Sequence, residues 1–180
     1  SGFKQRIMSL MFKPAWAKMN KSTITFKDIK PWVFSQKKVE TYVERVKALL
    51  EKASDNALND SKIEERYHKL YRRIVLSTAW QESCWRQFHV KQKKIVYLIS
   101  YNGSSVGLMQ INERIWRGIY TQQRLRWENH YNVLAGCEIL DLYFTKYALK
   151  RIQELSGGKP EATNNRMELV AAIEALGALH

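Results

Sequence analysis

From Lys38 to Ala53 the apolar residues Val39, Tyr42, Val43, Val46, Leu49 and Leu50 recur three and four positions apart. That spacing places their side chains on one face of an α-helix. A second stripe, Tyr67, Leu70, Tyr71, Ile74 and Val75, predicts a helix from about Ile63 to Cys84, which Asp60 or Ser61 is placed to cap. The polar stretch "SDNALNDSK" between the two reads as a loop. A third helix is expected from about Asn132 to Gln153, with Leu134, Ile139, Leu140, Tyr143 and Tyr147 facing inward. "SGGKP" breaks it. A last helix is expected over Arg166 to Leu179.

Between these helices the pattern changes period. "KIVYLISYNGSSVG" is rich in β-branched and aromatic residues around Asn102-Gly103, a strong turn signal, and predicts a hairpin from Lys94 to Val106. A further helix is expected to start near Leu108. Residues 1–36 are basic and aromatic, contain Pro14 and Pro31, and hold no sustained period, so they read as an irregular N-terminal arm around the domain. The expected organisation is this arm, a main domain over 37–155, and a C-terminal helical segment over 156–180. The fold class is mainly α, with a small β-hairpin.

A chain of 180 residues, 45% of them hydrophobic, can bury one real core. Thirty Lys and Arg against 17 Asp and Glu leave a net charge of +13, which favours polyanions: nucleic acid, acidic cell-wall polymers or anionic lipid. No apolar run approaches the roughly 18 residues that span a bilayer. The opening "SGFKQRIM" is expected to be a trimmed or mature end, without a secretory leader. Cys84 and Cys137 lack metal-site spacing and read as either one disulfide or two buried thiols. His68, His89, His130 and His180 show no ligand spacing either.

The residue that raises a chemical question is Glu82, in "AWQESCW" at the end of the second helix. A glutamate at a helix end is ordinarily structural. As a proton donor near neutral pH it needs a pKa well above about 4.3, which burial beside Trp80 and Trp85 would provide. A rise of about two units costs the ionised form roughly 2.7 kcal/mol. Two further motifs accompany it. In "GLMQIN", Gly107 allows close backbone approach to a ligand, and Gln110 can donate to and accept from sugar hydroxyl or acetamido groups. In "NVLAG", Asn132 and Gly136 share a helix face.

"ES" at Glu82-Ser83, "GLMQ" at Gly107 to Gln110 and "NxxxG" at Asn132 to Gly136 stand in the order seen in soluble-type lytic transglycosylases. Over roughly Ile74 to Tyr147 the chain resembles that family, which has the lysozyme-like fold and is related to goose-type lysozymes. The resemblance implies that Glu82 is the single catalytic acid and then base. It would cleave the β-1,4 bond between N-acetylmuramic acid and N-acetylglucosamine and leave a 1,6-anhydro end. It also implies that Ser83 orients the acid, that Gly107 and Met109 shape the cleft, and that Gln110 and Asn132 contact substrate or hold the cleft's geometry. Neither cofactor nor metal is implied. The expected partner is the peptidoglycan strand, with acidic wall polymers as a second. The expected setting is the cell envelope, periplasmic or extracellular, and the expected state a monomer. Nucleic acid is disfavoured.

An independent argument concerns the reaction. Hydrolytic glycosidases usually need a second carboxylate. Between Ser83 and Asn112 there is no Asp or Glu, and the nearest downstream acids are Glu113 and Glu128. One carboxylate suits a substrate that supplies its own nucleophile, which favours transglycosylase over a goose-type-like lysozyme. A non-catalytic peptidoglycan-binding protein that kept the fold is the reading from another class.

Two features depart from that pattern. The family carries an "AYN"-like motif after the NxxxG helix, whose tyrosine reaches the catalytic glutamate. No such motif follows Gly136, and the last tyrosine is Tyr147. Tyr97 and Tyr101 in the hairpin are the candidates to replace it. Separately, "ATNNRMELVAAIEALGAL", Ala162 to Leu179, resembles the type I ribonuclease H helix that carries a metal-binding glutamate, here Glu168. That site needs several carboxylates to hold Mg²⁺, and no strand bearing the family's first aspartate lies upstream.

Overall fold

The computed structural model describes residues 29–149. Four α-helices and two small antiparallel sheets follow in the order α1 (Val39–Asn59), α2 (His68–Ser83), β1 (Phe88–Lys91), β2 (Lys94–Tyr97), β3 (Ser105–Val106), β4 (Ile111–Asn112), α3 (Gln122–Trp127) and α4 (Asn129–Tyr143). The described domain is thus mainly helical with a small β region, as expected. The C-terminal helix over Arg166–Leu179 and most of the N-terminal arm lie outside the described residues. No helix among the described residues is long and apolar enough to cross a membrane.

Helix α4 is the centre. Residues 131–137 are all buried, the mark of a helix covered on every side, and α1, α2 and α3 all pack against it. Helix α1 runs six residues past its expected end, through the stretch read as a loop. Ser54 and Leu58 continue the buried stripe of Val46 and Leu50, and the Ser54 hydroxyl donates to the Leu50 carbonyl at 2.8 Å. Burial of that face overrides the polar composition around it. Helix α2 starts later than expected, after a 3₁₀ turn at Glu65–Tyr67. Ser61 serves the turn before it, accepting from the Ile63 amide at 3.0 Å and donating to Asp141.

The end of α4 corrects a second expectation. A π-helical turn over Phe144–Ala148 shifts the helix face, so Phe144 and Ala148 are buried. Tyr143 and Tyr147 lie outside, stacked on each other with centroids 5.8 Å apart.

The β region is a chain of hairpins rather than one. β1 and β2 pair through a two-residue turn at Gln92-Lys93, with Lys91 opposite Lys94. Both turn residues have positive φ, 50° and 60°, as such a turn requires. The Asn102-Gly103 turn then brings Ile99 beside Val106, and β3 pairs with β4 across residues 107–110. "GLMQ" is therefore a four-residue hairpin loop, not the start of a helix. Gly107 and Gln110 both stand in left-handed conformations, φ 79° and 45°, which no α-helix can propagate.

Of the two readings of the cysteines, the disulfide is not formed. Cys84 is an exposed thiol at the end of α2, and Cys137 is a buried one inside α4, where burial pushes it up to about 12. The alternative of two buried thiols fails as well, since Cys84 faces solvent.

Candidate active site

Helix α2 stops abruptly. Cys84 and Trp85 both adopt left-handed backbone, φ 50° and 60°, and the Trp85 amide reaches back to the Ala79 carbonyl at 3.3 Å. For a tryptophan this conformation is uncommon and costs about 1–2 kcal/mol. The corner sends the chain directly into β1 and leaves Glu82 on the last helical turn.

The next residue ties that turn to the GLMQ loop. The Ser83 hydroxyl is buried and within hydrogen-bond reach of the Leu108 carbonyl at 2.7 Å and the Ala79 carbonyl at 3.1 Å, and it accepts from the Arg86 amide at 3.0 Å. Its bonds serve the loop and the helix end, so any influence on Glu82 passes through the backbone.

Two buried amides hold the same loop from other directions. Asn132 Oδ1 accepts from the Met109 amide at 2.8 Å, and its Nδ2 donates to the Val106 and Leu125 carbonyls, each at 3.0 Å. Gln87 Oε1 accepts from the Leu108 amide at 2.7 Å, while its Nε2 donates to the Leu125 and Arg126 carbonyls at 2.9 and 3.0 Å. Both side chains are fully buried, with both amide hydrogens and the oxygen engaged. Asn132 is therefore fully engaged inside the protein, where it holds the geometry of the loop. Gln87 was not singled out in the sequence; its only local signal is an uncharged polar residue between Arg86 and Phe88.

The glycines follow from the same packing. A Cβ on Gly107 would overlap Asn132 Nδ2 and come within 2.6 Å of Gln87 Oε1, on a backbone already left-handed. A Cβ on Gly136 would lie 2.5 Å from Met109 Cγ, so Met109 fills the space that Gly136 leaves on α4. Ser83, Gly107, Met109 and Asn132 meet in one place. Gln110 closes the loop, its side-chain amide donating to the Gly107 carbonyl at 2.8 Å.

Glu82 itself is exposed, and among the described residues it has no hydrogen bond or ion pair. Partial desolvation holds its carboxyl above the usual glutamate value. Trp80 and Trp85 pack edge to face on each other, centroids 5.7 Å apart, and line a recess that Glu82 does not border. The next two acids along the chain are neutralised in two-pronged arginine pairs: Glu113 with Arg126 at 2.8 and 2.7 Å, Glu128 with Arg124 at 2.8 and 2.7 Å. Of the two candidate tyrosines, Tyr97 packs edge-on against Trp127 beneath the Arg126 guanidinium, and Tyr101 stands fully exposed in its turn. Neither hydrogen-bonds Glu82.

A second perturbed carboxylate lies elsewhere on α4. Burial pushes Glu138 up to about 8, against a hydrogen bond that Tyr120 donates at 3.1 Å. An unfolded chain releases this proton near 4.5, so the folded state binds it more tightly and stability falls as pH rises from about 4.5 to about 8. Glu138→Gln is expected to remove that slope, by about 1–2 kcal/mol after allowing for the water that still reaches the group. Urea unfolding at several pH values reads it, and parallel curves for the two proteins would refute it.

No family model matches the chain, and no solved structure matches it. Short stretches are similar to ribonucleases H. Thirty residues are 73% identical to a ribonuclease H of Erythrobacter litoralis, covering 17% of this chain and 21% of that protein. Thirty are 70% identical to one of Chlorobium phaeovibrioides, covering 17% and 20%. Twenty-seven are 70% identical to ribonuclease HI of Pseudomonas aeruginosa, covering 15% and 18%. The chain spans about a fifth of the length of the curated relatives it matches.

Proposed function

We propose that this domain is a peptidoglycan lytic transglycosylase of lysozyme-like fold, with Glu82 as its acid and base. The observation that carries the proposal is the isolation of Glu82. Among the described residues it is an unpaired carboxyl, with a pKa raised by desolvation, one residue from the contact between Ser83 and the GLMQ loop, while Glu113 and Glu128 are bound to arginines. The convergence of Ser83, Gly107, Met109 and Asn132 adds the support of three ordered motifs.

In the proposed reaction, protonated Glu82 gives its proton to the glycosidic oxygen as the bond from that oxygen to C1 of N-acetylmuramic acid breaks. The C6 hydroxyl oxygen then bonds to C1, and its proton passes to the Glu82 carboxylate, restoring the acid. No water is consumed. A hydrolase would need a second carboxylate to serve as nucleophile or to activate water, and the next two acids along the chain, Glu113 and Glu128, are bound to arginines.

Mass spectrometry of glycan digested by the purified protein tests the choice. Muramic ends lighter by one water than free reducing ends are expected. Reducing ends alone would mean lysozyme chemistry. Binding to insoluble wall material without any released sugar would favour the non-catalytic reading, which draws its support from the lack of a tyrosine hydroxyl on Glu82. The envelope setting and the action on glycan strands belong to this proposal.

A further inference from the structure

A second concave surface lies on another face of α2. Trp80 and Cys84 are four residues apart and share a face, whereas Glu82 projects roughly 200° around the helix from Trp80. There an apolar recess of about 350 Å³ is walled by Phe34, Val39, Tyr42, Val43, Trp80 and Trp85, with Cys84 and Arg86 at its edge. Its walls are held in place: Phe34 meets Tyr42 edge to face at 5.6 Å, and the Tyr42 hydroxyl donates to the Trp85 carbonyl at 2.8 Å. The Trp85 indole N–H is also engaged, on the Leu76 carbonyl at 2.9 Å. The Tyr42 and Trp85 donor hydrogens are thus engaged inside the protein, and the rings offer an apolar surface.

Tyr42 is also a wall of an adjoining recess of about 630 Å³, whose charged lining is Lys30, Lys38 and Arg45, with the hydroxyls of Ser35 and Thr41. No acidic side chain lines either recess, and among the described residues Lys30 and Lys38 form no ion pair. Both volumes fall in the range that holds small ligands. A cationic recess and an apolar one that share a wall are complementary to a molecule with an anionic end and an apolar body.

We infer that the two recesses together bind one anionic amphiphile, its phosphate or carboxylate head among Lys30, Lys38 and Arg45 and its hydrocarbon body against Tyr42, Trp80 and Trp85. Concave walls fit a single molecule rather than a flat bilayer face. The site is separate from Glu82 and does not depend on the reaction proposed there.

The test titrates the full chain with dodecyl phosphate below its micelle concentration, followed by tryptophan fluorescence and calorimetry. Saturable one-to-one binding is expected, weakened about tenfold by the double change Lys30→Glu with Lys38→Glu, and by a similar factor in Trp80→Ala. Trp80 and both lysines are exposed, so the variants are expected to fold, and thermal unfolding checks this. Phe34→Ala serves as a second probe of the apolar wall. Glu82→Gln should bind as tightly as the parent chain. Equal affinity for dodecanol would overturn the role of the basic recess, and equal affinity for inorganic phosphate that of the apolar one. Adhesion to phosphatidylglycerol vesicles without dodecyl phosphate binding would overturn the inference in favour of a merely basic surface.

Discussion

Glu82→Gln is expected to lower wall-lytic activity about a thousandfold while leaving thermal stability within about 1 °C of the parent. One side chain serves both proton transfers in the proposed reaction, and such transfers contribute about 10²–10⁴ each. Glutamine keeps the size of the side chain and loses only the proton. Glu82 is exposed and makes no hydrogen bond or ion pair among the described residues, so its removal disturbs no packing. Release of soluble muropeptides from purified sacculi measures the effect. A variant that retained half the parent rate would disprove the role of Glu82. The pH profile adds a sign. Desolvation raises this carboxyl, so the active, protonated form persists to higher pH than an ordinary glutamate would allow, and kcat/KM declines as pH rises through that pKa. Failure of this decline in an otherwise active enzyme would place the essential acid elsewhere.

The largest structural effect is expected at Asn132. Asn132→Leu keeps the approximate volume, strips this partner from the buried Met109 amide and Val106 carbonyl, and leaves the Leu125 carbonyl with only its bond from Gln87. Each unsatisfied buried group costs about 1–3 kcal/mol. A net loss of about 3–5 kcal/mol follows, a large part of the roughly 5–15 kcal/mol that holds a domain folded. Urea denaturation should show the midpoint falling sharply. Gln87→Leu should fall comparably, and the double variant should lose less than the sum, because both amides hold one loop and a loop released by the first change has less left to lose from the second. Additive losses would mean that the two act independently. A midpoint unchanged in Asn132→Leu would refute the account of the loop.

How much of this was legible beforehand follows from the range of each interaction. The stripes of α1 and α2 repeat every three or four residues, and neighbouring side chains report them. The Asn102-Gly103 turn was visible because Gly tolerates positive φ at no steric cost. Gln92-Lys93 turns the chain with positive φ at both positions and without that residue chemistry, since pairing of Phe88–Lys91 with Lys94–Tyr97 imposes it. The outward turn of Tyr143 and Tyr147 was hidden as well, because a π turn changes the period that the sequence pattern assumes.

By itself the amino-acid sequence determined a mainly helical domain with a small β insertion, the order of the three motifs, and the absence of acids between Ser83 and Asn112. These are properties of composition and local period, which need no partner to be read. Only the tertiary structure decided that Ser83, Gln87 and Asn132 converge on residues 106–109, across sequence separations of 21 to 26 residues. It alone decided that Asn132 is sealed inside, that the two cysteines stay apart, and that Glu113 and Glu128 are held by arginines while Glu82 is not. Each of these outcomes depends on which buried polar atoms find partners, and those partners come from distant parts of the chain.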